Sequence, residues 1–172
     1  MSLNDVGVRL RWLALSQGRP SGARLGHPLF VLLLLLAYPA AAQVVFETTP
    51  LAIEAGSGTL DFEVELAVSP EQRRQGLMFR ESLDSDQGML FDFGRIAPVT
   101  MWMRNTFISL DMLFIDADGR IARIVADTEP LSDAVIGSGG PVRAVLELPA
   151  GTSADLGIAV GDRVVHPIFG AP

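Results

Sequence analysis

Apolar residues along this chain recur at changing periods, and the changes mark out its elements. From Thr59 to Val68, the residues Leu60, Phe62, Val64, Leu66 and Val68 alternate with Asp61, Glu63 and Glu65. Period two describes a strand with one buried and one wet face, so the three carboxylates read as a solvated outer surface. Leu51 to Glu54 is expected to be its partner, joined across Gly56, Ser57 and Gly58. The pattern then breaks at Ser69, Pro70, Glu71 and Gln72. Ser as N-cap, Pro at the first helical position and Gln three residues after the cap start a helix at Pro70, and Gly76 stops it within two turns.

Leu77, Met78 and Phe79 are expected to enter the core with Arg80 at its edge, and Glu81 to Gln87 to form a surface loop. Met89, Phe91 and Phe93 alternate with Leu90 and Asp92 in a strand that stops at Gly94 and Pro98. Val99, Met101 and Met103 share the face opposite Thr100, Trp102 and Arg104. Ile108 to Ile115 is apolar enough for a strand buried on both faces. Asp118 and Gly119 turn it into an antiparallel partner, Ile121 to Ala126. Asp127 to Pro141 is long and rich in Gly, Ser and Pro, which suggests a functional loop or lid. Val142 to Leu148 is a strand, Pro149 to Leu156 turns through a helical half-turn, and Ile158 to His166 closes the chain around Gly161 and Asp162. About seven or eight short strands with one short helix predict a mainly β (α+β) fold, a single compact domain of barrel- or sandwich-like form.

The first quarter follows a different logic. Arg9, Arg11, Arg19 and Arg24 precede the apolar run Leu29 to Ala37, and Ala40, Ala41 and Ala42 supply small residues at a cleavage position. Residues 1–42 therefore read as a secretory signal peptide, its apolar run too short to span a bilayer. Residues 43–58 are a lead-in and first strand, and 59–172 the main β domain. Loss of the leader would take four Arg and only Asp5, moving the balance from 13 basic and 20 acidic residues to 9 and 19, and the charge from -7 to -10. A periplasmic or extracellular acidic domain is expected, with no span left after cleavage and with nucleic acid and anionic lipid disfavoured as partners. The absence of Cys excludes disulfides and thiol catalysis.

Polar residues concentrate at one place. Arg104, Asn105, Thr106 and Asp111 stand among Trp102, Phe107, Leu110, Met112 and Phe114, an expensive arrangement unless their polar atoms find partners. If Thr106 to Ser109 makes a hairpin turn, Arg104 faces Asp111 in a cross-strand ion pair. That group is either a ligand site, with Arg104 and Asn105 as donors, or a satisfied network that pins the turn. Glu147, between Leu146 and Leu148, is the second carboxylate of interest. Asp111 and Glu147 across a pocket would suit acid-base hydrolysis, although Glu147 facing solvent explains the alternation equally well. With His166 as the one histidine after the leader, zinc spacing and a Ser-His-Asp set are lacking. Met101 and Met103 on one strand face are the best candidates for Cu(I), against a packing role for the methionines. Phosphate-loop and dinucleotide fingerprints are absent, so no cofactor is expected.

Four segments occur in order: GLMFR (Gly76 to Arg80), GMLFDF (Gly88 to Phe93), TMWMRNTFISLDMLFIDADG (Thr100 to Gly119) and VLELPAG (Val145 to Gly151). Together they resemble DUF192, a bacterial and archaeal domain family of unknown function. The resemblance implies a small, mostly β domain, frequently exported and without an assigned activity. Its polar positions fall on Arg80, Trp102, Arg104, Asn105, Thr106, Asp111 and Glu147, with Lys frequent in the family where this chain has Arg104. The expected function is an exported binding module that engages a small anionic or carbohydrate envelope ligand through Arg80, Trp102, Arg104, Asn105, Thr106 and Asp111. The alternatives are an envelope-acting hydrolase using Asp111 and Glu147, and a structural or protein-interaction domain.

Overall fold

A computed structural model describes residues 43–170, and the leader expected over residues 1–42 lies outside them. The elements are β1 (Glu47–Ala55), β2 (Gly58–Ala67), α1 (Pro70–Gln75), β3 (Gln87–Met101), β4 (Leu110–Ile115), β5 (Ile121–Val125), β6 (Ile136–Pro149), α2 (Thr152–Leu156) and β7 (Arg163–Val165), followed by a 3-10 turn over Pro167–Phe169. The fold is mainly β, as expected, and its seven strands form one sheet in the order β5-β4-β6-β3-β2-β1-β7. The sheet curls into a half-barrel whose two ends meet. Ile121 donates to the Asp162 carbonyl at 2.9 Å, and Val164 to the Gly119 carbonyl at 2.7 Å.

Local signals do what their chemistry requires. The alternating β2 buries Phe62 and Val64 and exposes Asp61 and Glu63, pairing antiparallel with β1 in unbroken register from Ala55↔Gly58 to Glu47↔Leu66. Helix α1 carries a complete capping box: the Ser69 hydroxyl accepts from the Gln72 amide at 3.1 Å, and Gln72 Oε1 accepts from the Ser69 amide at 2.9 Å. This helix is the crossover that lets β3 run parallel to β2. At the β4–β5 turn, Asp116 Oδ1 accepts from the Asp118 and Arg120 amides, both at 2.9 Å. Gly119 (φ 81°) passes so close to β7 that a Cβ there would sit 2.6 Å from the Val164 carbonyl.

Several expectations need correcting, among them the burial of Phe79, which is 59% exposed. The strand beginning near Met89 does not stop at Gly94; β3 continues to Met101, absorbing Gly94 and Pro98 in two register shifts against β6. The loop expected over Asp127 to Pro141 is not a lid. It ends where β6 begins at Ile136, and it is fastened down by Leu131 N–H to the Thr106 carbonyl (3.0 Å) and Met103 N–H to the Ser132 carbonyl (3.1 Å). Finally, β3 and β4 are not a hairpin, because β6 runs between them and pairs with both. A strand such as β4, buried at every residue, needs a partner on each side, and β5 and β6 supply them. The half-turn expected over Pro149 to Leu156 is a second short helix, α2, among the described residues.

Each face of the sheet carries its own core. Leu90, Leu113, Leu146 and Leu148 belong to one, with Phe62 and Ile53. Met89, Met112, Phe114 and Val145 belong to the other, with Phe91, Leu77 and Met103.

Candidate functional site

Glu147 lies near the C-terminal end of β6, with Met89 of β3 opposite on one side and Met112 of β4 on the other. Partners across a ladder share a face, so its carboxyl points into the methionine- and phenylalanine-rich core rather than to solvent. The residue is 4% exposed. Burial pushes its carboxyl from 4.5 up to about 8, and no charge or hydrogen bond from a described residue offsets that shift. At neutral pH the group is a neutral carboxylic acid, able to donate as well as accept.

A cavity of about 210 Å³ opens over this carboxyl, between α1 and the segment Thr100 to Thr106. Leu77, Met78, Phe91, Phe93 and Met101 wall it, and the exposed Arg74, Trp102 and Arg104 stand at its mouth with the half-buried Arg73. The Arg104 guanidinium lies over the Trp102 ring, 4.6 Å from its centroid, and Arg104 Nε donates to Asp133 Oδ1 at 2.6 Å. Arg73 donates to the carbonyls of Val68 and Asp92 and covers the Phe93 ring at 5.5 Å. Among the described residues Arg74 reaches only Glu71, at 3.4 Å. Behind this mouth, Asp92 is held by Arg143 through two hydrogen bonds of 2.8 and 3.1 Å. Burial alone would raise the Asp92 carboxyl; the Arg143 hydrogen bond, the Gly94 amide and the nearby guanidiniums outweigh it and hold the group low.

Asp111 has a different task. Fully buried, it accepts from three backbone amides: Asp127 at 3.1 Å, Gly151 at 3.2 Å and Ser153 at 2.8 Å. Gly151 offers no side chain to cap α2, and the Asp111 carboxylate serves as the cap from β4. The expected Arg104–Asp111 ion pair does not form: Arg104 lies in the turn after β3 and pairs with Asp133, and β6 runs between β3 and the β4 that carries Asp111. Nor do Asp111 and Glu147 converge. Asp111 pairs with Leu148, and Met112 with Glu147, which puts the two carboxylates on opposite faces of the sheet.

The remaining expected residues divide. Thr106, 5% exposed, lines the cavity with Trp102 and Arg104. Asn105, in the left-handed region at φ 57°, is spent on a turn in which its carbonyl accepts from the Phe79 amide at 2.8 Å. Arg80 is ion-paired with Glu65 outside the cavity. Met101 lines the cavity, whereas the buried Met103 sulfur accepts from the Thr128 hydroxyl at 3.2 Å, so the two thioethers have different surroundings. No cluster of three His, Asp or Glu able to hold a metal occurs among the described residues. Arg73, Arg74, Phe91 and Phe93 were not expected at a site. The capping box that fixes α1 was the available signal for the two arginines, but not where the helix would lie.

A larger depression of about 750 Å³ lies on the outer surface of β1, β2 and β7, beside Pro50, Asp61, Glu63, Asp86 and His166. Its size exceeds its chemistry. The three carboxylates are exposed, and His166 is already engaged, with Nε2 3.0 Å from the Thr49 hydroxyl and Nδ1 accepting from the Ile168 amide at 3.4 Å. The smaller cavity over Glu147 is therefore the candidate site.

Comparison with known proteins agrees with the architecture. No curated protein matches the chain. Among solved structures, a proposed transcription regulator from Sinorhizobium meliloti 1021 is 50% identical with a TM-score of 0.70, the match covering 72% of this chain and 96% of that one. A protein of unknown function from Novosphingobium aromaticivorans DSM 12444 is 37% identical, also with a TM-score of 0.70, over 76% of this chain and 94% of that one. The family model described as uncharacterized ACR matches residues 52–166, a span that includes every cavity-lining residue, and the chain belongs to the DUF192 family.

Proposed function

We propose that this protein is an exported binding module whose ligand enters the cavity over Glu147. One observation carries the reading: a glutamate 96% buried as a residue, its carboxyl without a hydrogen-bond partner among the described residues, lining a cavity with guanidiniums and an indole at its mouth. An unpaired buried polar group lowers stability, and a ligand that bonds to it recovers that loss. Concave sites with apolar walls and a few convergent polar groups are the usual form of small-molecule pockets. Export rests on the leader over residues 1–42 and fits a domain free of Cys.

Hydrolysis by the pair Asp111 and Glu147 is not supported, because the two face opposite cores. A protein-interaction role would leave the Glu147 carboxyl unexplained. The regulatory description of the Sinorhizobium protein suggests nucleic acid, but a domain with 19 acidic and 9 basic residues after the leader repels phosphate backbones.

A thermal-shift screen of sugars, small carboxylates and peptidoglycan fragments, repeated on Glu147→Leu, tests the reading. A ligand at a hundred times its Kd stabilises by about 2.7 kcal/mol, and that shift is expected to vanish in the variant. A ligand whose shift survives Glu147→Leu would place binding elsewhere.

A further inference from the structure

We propose that the cavity takes a small organic carboxylate, its uncharged acceptor, such as an amide carbonyl, seated on the Glu147 carboxyl and its carboxylate held at the mouth by Arg74 and Arg104. This rests on the cavity being a ligand site and specifies which molecules enter it.

The distribution of charge from floor to mouth sets the ligand's polarity. Every charged residue lining the cavity other than Glu147 is an arginine, namely Arg73, Arg74 and Arg104. A cationic ligand would have to pass all three. Arg73 is committed to the Val68 and Asp92 carbonyls, and its guanidinium covers Phe93. Arg104 uses only Nε, on Asp133, and its terminal nitrogens make no hydrogen bond among the described residues. Among the described residues Arg74 makes only the 3.4 Å contact with Glu71, both side chains being about two-thirds exposed at 67% and 65%. These two guanidiniums keep their forks for a planar anion, and Trp102 beneath Arg104 fixes the plane of one of them.

The floor asks for the opposite partner. With its ionisation suppressed by burial, Glu147 offers an O–H that only an acceptor can use, and a second carboxylate placed there would find no counter-charge. The walls between floor and mouth, Leu77, Phe91 and Met101 among them, are apolar and suit a short hydrocarbon spacer. A volume of about 210 Å³ holds about seven waters at 30 Å³ each, the scale of an acylated amino acid rather than an oligosaccharide.

Titration of the full-length protein with N-acetyl-alanine, its amide and pentanoate, followed by NMR shifts of the cavity residues, separates the requirements. N-acetyl-alanine is expected to bind about tenfold or more tighter than either of the others. Glu147→Leu should remove that margin over pentanoate, while Glu147→Gln, a neutral donor, should keep it. Joint Arg74→Ala and Arg104→Ala substitution should weaken the acid about tenfold and leave the amide unchanged. Equal binding of acid and amide, or of acid and pentanoate, overturns the assignment. If methyl glucoside or guanidinium binds instead, and does so only with Glu147 intact, the carboxylate assignment fails and the binding reading stands. If none of the five compounds shifts a cavity residue at about 0.1 M, both fail.

Discussion

Asp111 and Glu147 occupy neighbouring strands of one sheet and point to opposite sides of it, Asp111 beside Leu148 and Glu147 beside Met112. The two buried carboxylates are consequently separate devices. Asp111 is satisfied by three amide donors and ties β4 to the loop before β6 and to the start of α2. Glu147 has no such partners among the described residues and lines a cavity.

Removing the Asp111 carboxylate strands the Asp127, Gly151 and Ser153 amides. Asp111→Ala is expected to cost about 3 kcal/mol or more in chemical denaturation, and Asp111→Asn less, since one acceptor oxygen remains. A loss below about 1 kcal/mol for the alanine variant would mean that those amides find other partners.

Arg104 belongs to the opposite class. Its side chain is 49% exposed, bridged to an Asp133 that is 69% exposed. Exposed ion pairs and cation-π contacts contribute little, so Arg104→Ala should cost no more than about 1 kcal/mol while weakening binding of anions. A loss as large as that of Asp111→Ala would make Arg104 a structural residue.

How much of this was visible in the sequence depends on how far apart the partners lie. The β2 alternation, the Ser69–Gln72 capping box and the turn at Asp118 and Gly119 involve neighbours in sequence and formed as read, except that the alternation ends before Val68, which is exposed, and Glu65 is half-buried against Arg80. Asp111 finds its acceptor duties 16, 40 and 42 residues away, and nothing near it in sequence names those amides. Pairing β3 with β4 was the economical assumption for consecutive strands, and the insertion of β6 between them removed both the hairpin and its ion pair. Glu147 was legible as a residue of interest but not as buried. The alternation Leu146, Glu147, Leu148 describes a half-wet strand equally well, and only a second core on the other face makes Glu147 an interior group.

Gly88 tests the packing that seats Glu147. A Cβ at this position would fall 2.7 Å from the Glu147 carbonyl and 2.8 Å from Leu148 Cδ2. Backbone in a sheet cannot give way cheaply, so Gly88→Ala should lose about 2–3 kcal/mol of stability. An unchanged melting temperature would contradict the close approach of β3 to β6.

Stability should also depend on pH through Glu147. Its carboxyl is raised from 4.5 to about 8 in the fold. Between those values the folded protein holds a proton that the unfolded chain has lost, so stability falls as pH rises, by about 1.4 kcal/mol per pH unit. Below 4.5 both states are protonated and the residue is neutral to folding; above about 8 the loss is complete. Burial lowers His166 beneath 6.5, with Asp92 pulling the other way; its contribution rises with pH and is complete about one unit above 6.5, where the unfolded imidazole has also lost its proton. From about one unit above 6.5 up to about 8 the slope therefore belongs to Glu147. Denaturation midpoints should decline there in the wild type and stay level in Glu147→Gln.

Protonation of Glu147 inside the fold is what makes it a donor to the cavity. Carbon-13 NMR titration of the glutamate side-chain carboxyls, with Glu147→Gln to assign the signal, reads that state directly. A Glu147 midpoint near the expected value of about 8 would establish the neutral donor at the cavity floor. A midpoint at the ordinary 4.5 would mean a solvated carboxylate, and the ligand assignment built on it would fall.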